Sequence, residues 1–440
     1  MLETENSMGS RPFAEATLAE HREYRLNYGD TPLAGALNEF FQVPNSELAS
    51  ISQLYSYYDV PMFHRAIRAC FPDWKLVGER GGSGFGKLPN TPTFTRFKMA
   101  PGCSRKHLID GTLCYRLPNG NHRVIWCDLV ESIPRRFSVV LFAHLDEMAE
   151  LEMIDKHIRD WLRRHKHYLQ GQAIRADATL LPRKRRHTWD DVMLEPDIRE
   201  ELRRQTVGFF AHRRLFRKNR IPQRRGLLLY GPPGNGKTMI GKILADHGGW
   251  TFIYATAGDI GDPDQIRACF SLARRLRPTI LFFEDLDFFA SCREENPRGT
   301  TLGEMLAQMD GMEKNDGIIV IGTTNDLDAI EPALKDRPSR FDAVLHIAAP
   351  NEERRRDILA HYLGRRGVED ALIAFAAHHA CGFSAAQLKE LAMQTMQQAI
   401  LSGRVNDEGF AQPTRDDLDL ALSRMSGRAK KPLGFQVAVI

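Results

Sequence analysis

Residues 231–238 read GPPGNGKT, set between the apolar run GLLLYG (226–231) and the helical pattern MIGKILADH (239–247). Few local structures satisfy that order. A strand must enter a glycine loop, backbone N–H groups must turn inward, and a helix must leave with the positive end of its dipole facing the enclosed volume. Such a loop wraps a phosphate. Lys237 has the reach for β- and γ-phosphate oxygens, and the Thr238 hydroxyl is a ligand for Mg²⁺. The candidate nucleotide-contacting residues are therefore Gly231, Pro232, Pro233, Gly234, Asn235, Gly236, Lys237, Thr238 and Met239.

Three more short apolar runs follow: TFIYAT (251–256), TILFFED (279–285) and GIIVIGT (317–323). Each has the length and near-continuous apolarity of a strand buried on both faces, and helical patterns separate them. This predicts an α/β unit with a parallel sheet. ILFFEDLD (280–287) has the form of a Walker B strand, an apolar run that delivers Glu284 and Asp285 to the carboxyl edge of the sheet. One carboxylate can serve Mg²⁺, a hard cation, and its neighbour can orient an attacking water. The strand ends of one such sheet converge, so the two motifs support a single nucleotide site.

The flanking regions read differently. Residues 11–75 predict short helices, with Leu33, Leu37, Phe40 and Phe41 at helical spacing and breaks at Pro44 and Pro61. Strands are expected over 93–145, including a hairpin over 112–130 turned at Asn119–Gly120, and a charged amphipathic helix over 146–169. A second loop, GGSGFGKL (81–88), has similar glycine spacing, but Leu88 replaces the hydroxyl and no apolar strand runs into it, so it reads as a plain loop. After Pro350 the pattern is helical to about Ser426. The expected domains are an α+β domain over 1–180, the α/β unit with its lead-in linker over 181–349, a helical lid over 350–430 and a tail over 431–440.

The motifs resemble the AAA+ ATPases over about 187–430. Beyond the phosphate loop, four segments carry the resemblance in the family's order: HTWDDV (187–192), GTTN (322–325), EPALKDRPSRFD (331–342) and CGFSAAQLKEL (381–391). The resemblance implies a P-loop NTPase fold, α/β with a parallel sheet and a C-terminal helical lid, preceded by the smaller α+β domain. It implies that Asp191 and Val192 lie against the nucleotide base, that Asn325 contacts the γ-phosphate or its water, and that Arg337 and Arg340 act as fingers on a neighbouring subunit's nucleotide. An arginine so placed neutralises charge on the transferred phosphoryl group. The acids read Glu-Asp where most of the family has Asp-Glu. That order resembles the subgroup typified by the mitochondrial translocase of the Rieske iron–sulfur protein, and implies Glu284 for Mg²⁺ and Asp285 for the water.

The family implies ATP and Mg²⁺ as cofactors and a homo-oligomeric ring, a hexamer or heptamer, that remodels an unknown protein client. Two features narrow this. The loop after the second strand, AGDIGDPD (257–264), has no aromatic residue to grip a threaded chain, and no HExxH protease motif occurs. Two alternatives compete. Residues 156–225 hold 20 Lys and Arg against 8 Asp and Glu, a surplus that would suit a nucleic-acid-linked ATPase, although no stacking aromatics or nucleic-acid module accompany it. The other is a nucleotide-gated scaffold with little turnover. Seven cysteines without a CxxC pair read as reduced thiols. Cys103, His107, Cys114 and Cys127 fit no common zinc spacing. With a polar N-terminus and no apolar stretch of eighteen residues, the expected localisation is cytoplasmic, with no transmembrane segment.

Overall fold

A computed structural model describes residues 32–81, 91–130, 132, 135–182, 185–290, 298–310, 315–328, 330, 340–364 and 368–428. Two compact units divide the chain between Tyr168 and Leu169.

In the first unit, helix α1 (Pro32–Phe41) precedes strand β1 (Leu48–Ser56), then α2 (Val60–Cys70), β2 (Lys75–Arg80), β3 (Thr93–Ala100), β4 (Cys103–Arg116), β5 (His122–Val130), β6 (Arg136–His144) and α3 (Met148–Arg164). The sheet is antiparallel in the order β1-β6-β5-β4-β2, with β3 also paired to β4. Side chains alternate across it. Ile125, Cys127, Val139 and Leu141 pack beneath Met62, Phe63 and Ile67 of α2 and Leu151, Ile154 and Ile158 of α3. Val124, Trp126, Val140 and Phe142 cover Leu33, Leu37 and Phe41 of α1 on the other face. The hairpin turns where expected, with Gly120 at φ +90° and Asn121 N–H donating to Asn119 Oδ1 at 3.0 Å.

The mostly helical expectation for 11–75 needs correction within the described residues. LASISQLYS forms β1, which pairs with β6 from Leu48↔His144 to Ser56↔Arg136. Ile51 and Tyr55 suit a pleated surface, and each residue's partner on β6 lies eighty or more positions away, where local periodicity has no information. Residues 11–31 and 82–90, which include most of the second glycine loop, lie outside the described residues.

The second unit begins earlier than the linker expected near 181. Strand β7 (Ala173–Arg175) pairs parallel with β9 (Thr251–Thr256), and burying Ala173 and Ile174 there ties this short segment to the parallel sheet. Helices α4 (Pro196–Arg203) and α5 (Arg213–Lys218) lead to β8 (Arg224–Tyr230), α6 (Lys237–His247), β9, α7 (Pro263–Arg275), β10 (Thr279–Glu284), α8 (Arg298–Asp310), β11 (Ile318–Thr324) and β12 (Ala343–His346). The sheet is wholly parallel in the order β12-β8-β11-β10-β9-β7. Leu227, Leu228, Leu229, Ile280 to Phe283, Ile319 and Ile321 are fully buried, as strands covered on both faces require. At the start of β8, a Cβ on Gly226 would stand 1.6 Å from the Arg340 carbonyl oxygen, so only glycine lets the two backbones approach.

Helices α9 (Glu352–Leu363), α10 (Asp370–His379), α11 (Ala385–Leu401) and α12 (Arg415–Arg428) enclose their own core of Ile358, Leu359, Ile373, Leu388, Leu391, Met396 and Leu418. Buried Arg355 ties the group together, donating from Nε to the Ala377 carbonyl at 2.7 Å and from Nη1 to the Pro350 carbonyl at 3.1 Å. Residues 429–440, the tail, lie outside the description.

Candidate nucleotide site

β8 ends at Tyr230 and the chain turns back through Gly231, Gly234 and Gly236, at φ +142°, +80° and +100°, before α6 begins at Lys237. A Cβ on Gly236 would stand 2.9 Å from Val192 Cγ2. This loop places the first N–H groups of α6 around a concavity suited to an anion. Pro232 and Pro233 occupy the outer turn. Asn235 is buried and donates from Nδ2 to the Pro232 carbonyl at 3.3 Å. Lys237 is buried and its Nζ donates to the Gly231 carbonyl at 2.5 Å and the Pro232 carbonyl at 3.0 Å. Burial lowers its pKa, opposed by the carboxylates of Asp285, Asp287 and Glu284. Met239 packs into the sheet core beneath the loop.

The sheet order brings the acids to this loop. β11 lies between β8 and β10, so the turn after β11 stands between the phosphate loop and the acids after β10. Glu284 accepts hydrogen bonds from the Thr238 hydroxyl on one oxygen and from the Tyr254 hydroxyl on the other. A hydroxyl and a carboxylate side by side are hard oxygen donors, a set that fits Mg²⁺. Asp285 has a left-handed backbone, φ +55°, and its N–H donates to Thr323 Oγ1 at 3.0 Å. Asn325 Nδ2 reaches Asp285 Oδ1 at 3.4 Å. Burial and the nearby charge of Asp287 raise the Asp285 pKa, against the opposing pull of Lys237 and Asn325. Asp287 Oδ1 in turn accepts from Thr324 Oγ1 at 2.9 Å and from the Asn325 N–H at 3.3 Å.

Lys237, Thr238, Glu284, Asp285 and Asn325 are thus brought together. The sequence reading assigned no role to Tyr254, Thr323, Thr324 or Asp287. The last three stand inside the segments that pointed to the site, whereas a tyrosine in an apolar strand reads as core.

The lead-in and the lid also meet the loop. Thr188 caps a short turn over Trp189–Asp191, in which Asp191 Oδ2 accepts the Thr188 N–H at 2.8 Å while Arg185 pairs with Oδ1. Asp191 is therefore engaged within its own turn, and Val192 packs against Gly236. At the start of α11, the Ala386 N–H donates to the Gly234 carbonyl at 2.9 Å and the Ala385 N–H to Asn235 Oδ1 at 3.2 Å.

Arg340 is not at this loop. It precedes β12, beside the amino-terminal ends of β8 and β11, is 9% exposed, and donates from Nε to Asp310 Oδ2 at 2.7 Å. Arg337 lies outside the described residues. Among the described residues no group of three or more His, Cys, Asp or Glu side chains could hold a metal ion, and His107 stacks on His64.

The comparisons agree with this geometry. Residues 227–349 match the family model described as ATPase family associated with various cellular activities (AAA). An ATP-dependent zinc metalloprotease FtsH 2 of Thermoanaerobacter sp. (strain X514) is 30% identical over 259 residues, covering 57% of this chain and 49% of that protein. A proteasome-activating nucleotidase of Saccharolobus solfataricus is 31% identical over 251 residues, covering 54% of this chain and 62% of the other. The chain thus spans about half to three-fifths of the length of these curated relatives. The parallel sheet, the phosphate loop and the paired acids all fall in or beside the matched segment, so residues 227–349 carry a domain of the AAA ATPase type.

Proposed function

We propose that the chain hydrolyses ATP with Mg²⁺ and, assembled as a homo-oligomeric ring of six or seven subunits, remodels a protein client. The observation that carries this reading is the convergence of Lys237, Thr238, Glu284, Asp285 and Asn325, from the ends of β10 and β11 and the start of α6, on one phosphate loop. Lys237 and the α6 N–H groups bind the β- and γ-phosphates. Thr238 and Glu284 would hold Mg²⁺, which would supply neutralisation of phosphate charge. Asp285 accepts a proton from the attacking water, and Asn325 orients it. Val192 and the turn at Asp191 border the base. Arg337 and Arg340 are the candidates to serve the neighbouring subunit, Arg340 by exchanging its Asp310 partner for the neighbour's nucleotide. One relative is named an ATP-dependent zinc metalloprotease and another a proteasome-activating nucleotidase, names that favour a protein client.

The Glu284–Asp285 order and the preceding α+β domain support kinship with the Rieske-protein translocase subgroup. No helix among the described residues is long and apolar enough to cross a membrane, and we place the activity in the cytoplasm. In the basic stretch, Arg204 pairs with Glu201 and Arg225 with Asp342, which favours a protein client over nucleic acid. The test is phosphate release and light scattering on the purified chain, with and without ATP, Mg²⁺ and nucleic acid. ATP-favoured assembly and Mg²⁺-dependent turnover are expected. Full activity of a strict monomer would refute the ring, and nucleotide binding without turnover would refute hydrolysis. Mixing Lys237→Ala subunits, which supply fingers, with Arg340→Ala subunits, which supply sites, should restore partial activity. Demonstrated co-assembly with no recovery argues against fingers in trans.

A further inference from the structure

Glu284 carries its carboxylate one methylene further from the backbone than an aspartate would, with one more torsion to fix. Nothing on β10 fixes it. The restraint comes from β9. Tyr254 stands beside Phe282 in the β9–β10 register, and its ring stacks on Phe282 at 6.1 Å with planes 17° apart. Its backbone is held on the other side by β7, where Arg175↔Tyr254 pair and the Tyr254 carbonyl accepts the Ala176 N–H at 3.0 Å. A rigid ring on a strand held at both edges therefore presents a hydroxyl at a fixed point. That hydroxyl donates to Glu284 Oε2, while Thr238 donates to Oε1. An ionised carboxylate only accepts, so the phenol's proton has one direction to point.

We propose that Tyr254 is a positioning residue for the longer Walker B acid: it holds Glu284 Oε2 so that Oε1 stays beside the Thr238 hydroxyl, where the pair takes the divalent cation. The proposal rests on the nucleotide-site reading above. It links the glutamate at the first acidic position and the tyrosine on the neighbouring strand as one device. The phenol acts on metal affinity through Glu284 and does not touch nucleotide.

Tyr254→Phe keeps the ring and its stack and removes only the hydroxyl. On the full chain, ATP affinity is measured by calorimetry in EDTA and in excess Mg²⁺, together with the half-saturating Mg²⁺ concentration for turnover. Affinity in EDTA should stay within about twofold. The tightening by Mg²⁺ should shrink about tenfold, the order expected for loss of a hydrogen bond to a charged group, and half-saturating Mg²⁺ should rise correspondingly. In a Glu284→Asp background the carboxylate is withdrawn, so adding Tyr254→Phe should change the Mg²⁺ response by less than about twofold. An unmoved Mg²⁺ response in Tyr254→Phe overturns the proposal, as does an equal loss of affinity in EDTA, the mark of a merely structural tyrosine. A wild-type chain that binds ATP without turnover overturns the hydrolysis reading, while the EDTA and Mg²⁺ affinities still decide the role of Tyr254.

Discussion

Arg340 and Asp310 form an ion pair, Nε to Oδ2 at 2.7 Å, at the end of the strands remote from the phosphate loop. The Arg340 carbonyl also lies against Gly226, so this residue closes β12 onto β8 within its own subunit. Arg340→Ala should therefore destabilise the isolated subunit by about 2 kcal/mol, the order of a charge-assisted hydrogen bond left unmade. A urea midpoint measured without nucleotide checks it. A variant of wild-type stability would mean the pair contributes nothing, and any loss of activity would then be purely catalytic.

Lys237→Ala should lower nucleotide affinity by about a hundredfold or more while the fold survives, because among the described residues its ammonium donates to the Gly231 and Pro232 carbonyls of the loop itself. Burial lowers the lysine's pKa, and the cation is the phosphate-binding form. Affinity should thus fall as pH rises, beginning below the ordinary lysine range. Fluorescent-nucleotide titration across pH reads both effects. Unchanged affinity in Lys237→Ala would remove 231–238 as the phosphate site.

Asp285→Asn should retain ATP and lose turnover by about a hundredfold or more, since the amide cannot accept a proton. The Asp285 pKa is raised by burial and by Asp287. A base must be ionised, so turnover should fall with acidity at a higher pH than an ordinary carboxylate would set. Asp287→Asn keeps an oxygen for Thr324 and the Asn325 N–H but removes the charge, and should move that acid limb to lower pH. Normal turnover in Asp285→Asn with none in Glu284→Gln would reverse the assigned roles.

The first unit carries its own pH response. The rings of His64 and His107 stack with centroids 5.4 Å apart, and burial lowers both pKa values to about 4. In the unfolded chain a histidine titrates near 6.5. Between those values the unfolded state binds protons that the folded state excludes. The stability is complete above about pH 6.5 and declines as pH falls toward 4. Urea midpoints across that window should show the decline, and His107→Gln should make it shallower. A midpoint independent of pH in this window would contradict the pair's burial.

The phosphate loop and the acids were legible because local chemistry fixes them: glycines at 231, 234 and 236 after β8, a lysine and a hydroxyl at the start of α6, and two carboxylates at the end of β10. What escaped the sequence depended on partners far along the chain. β1 owes its existence to β6, and β7, three residues long, to β9. Arg340 finds Asp310 on another element. Tyr254 carries no marker that separates a core tyrosine from one whose hydroxyl meets Glu284.

The seventeen residues of α11 run about 25 Å from the phosphate loop. Their first two amides are bonded to Asn235 and Gly234, while Leu401 at the far end is 73% exposed. The helix is therefore a lever with its fulcrum on the residues that would touch phosphate. A tilt of about 10° at that fulcrum would sweep the tip by about 4 Å, most of a helical turn. A change of a few tenths of an ångström around one phosphate would therefore reach the far end of the helix as a displacement of several ångströms.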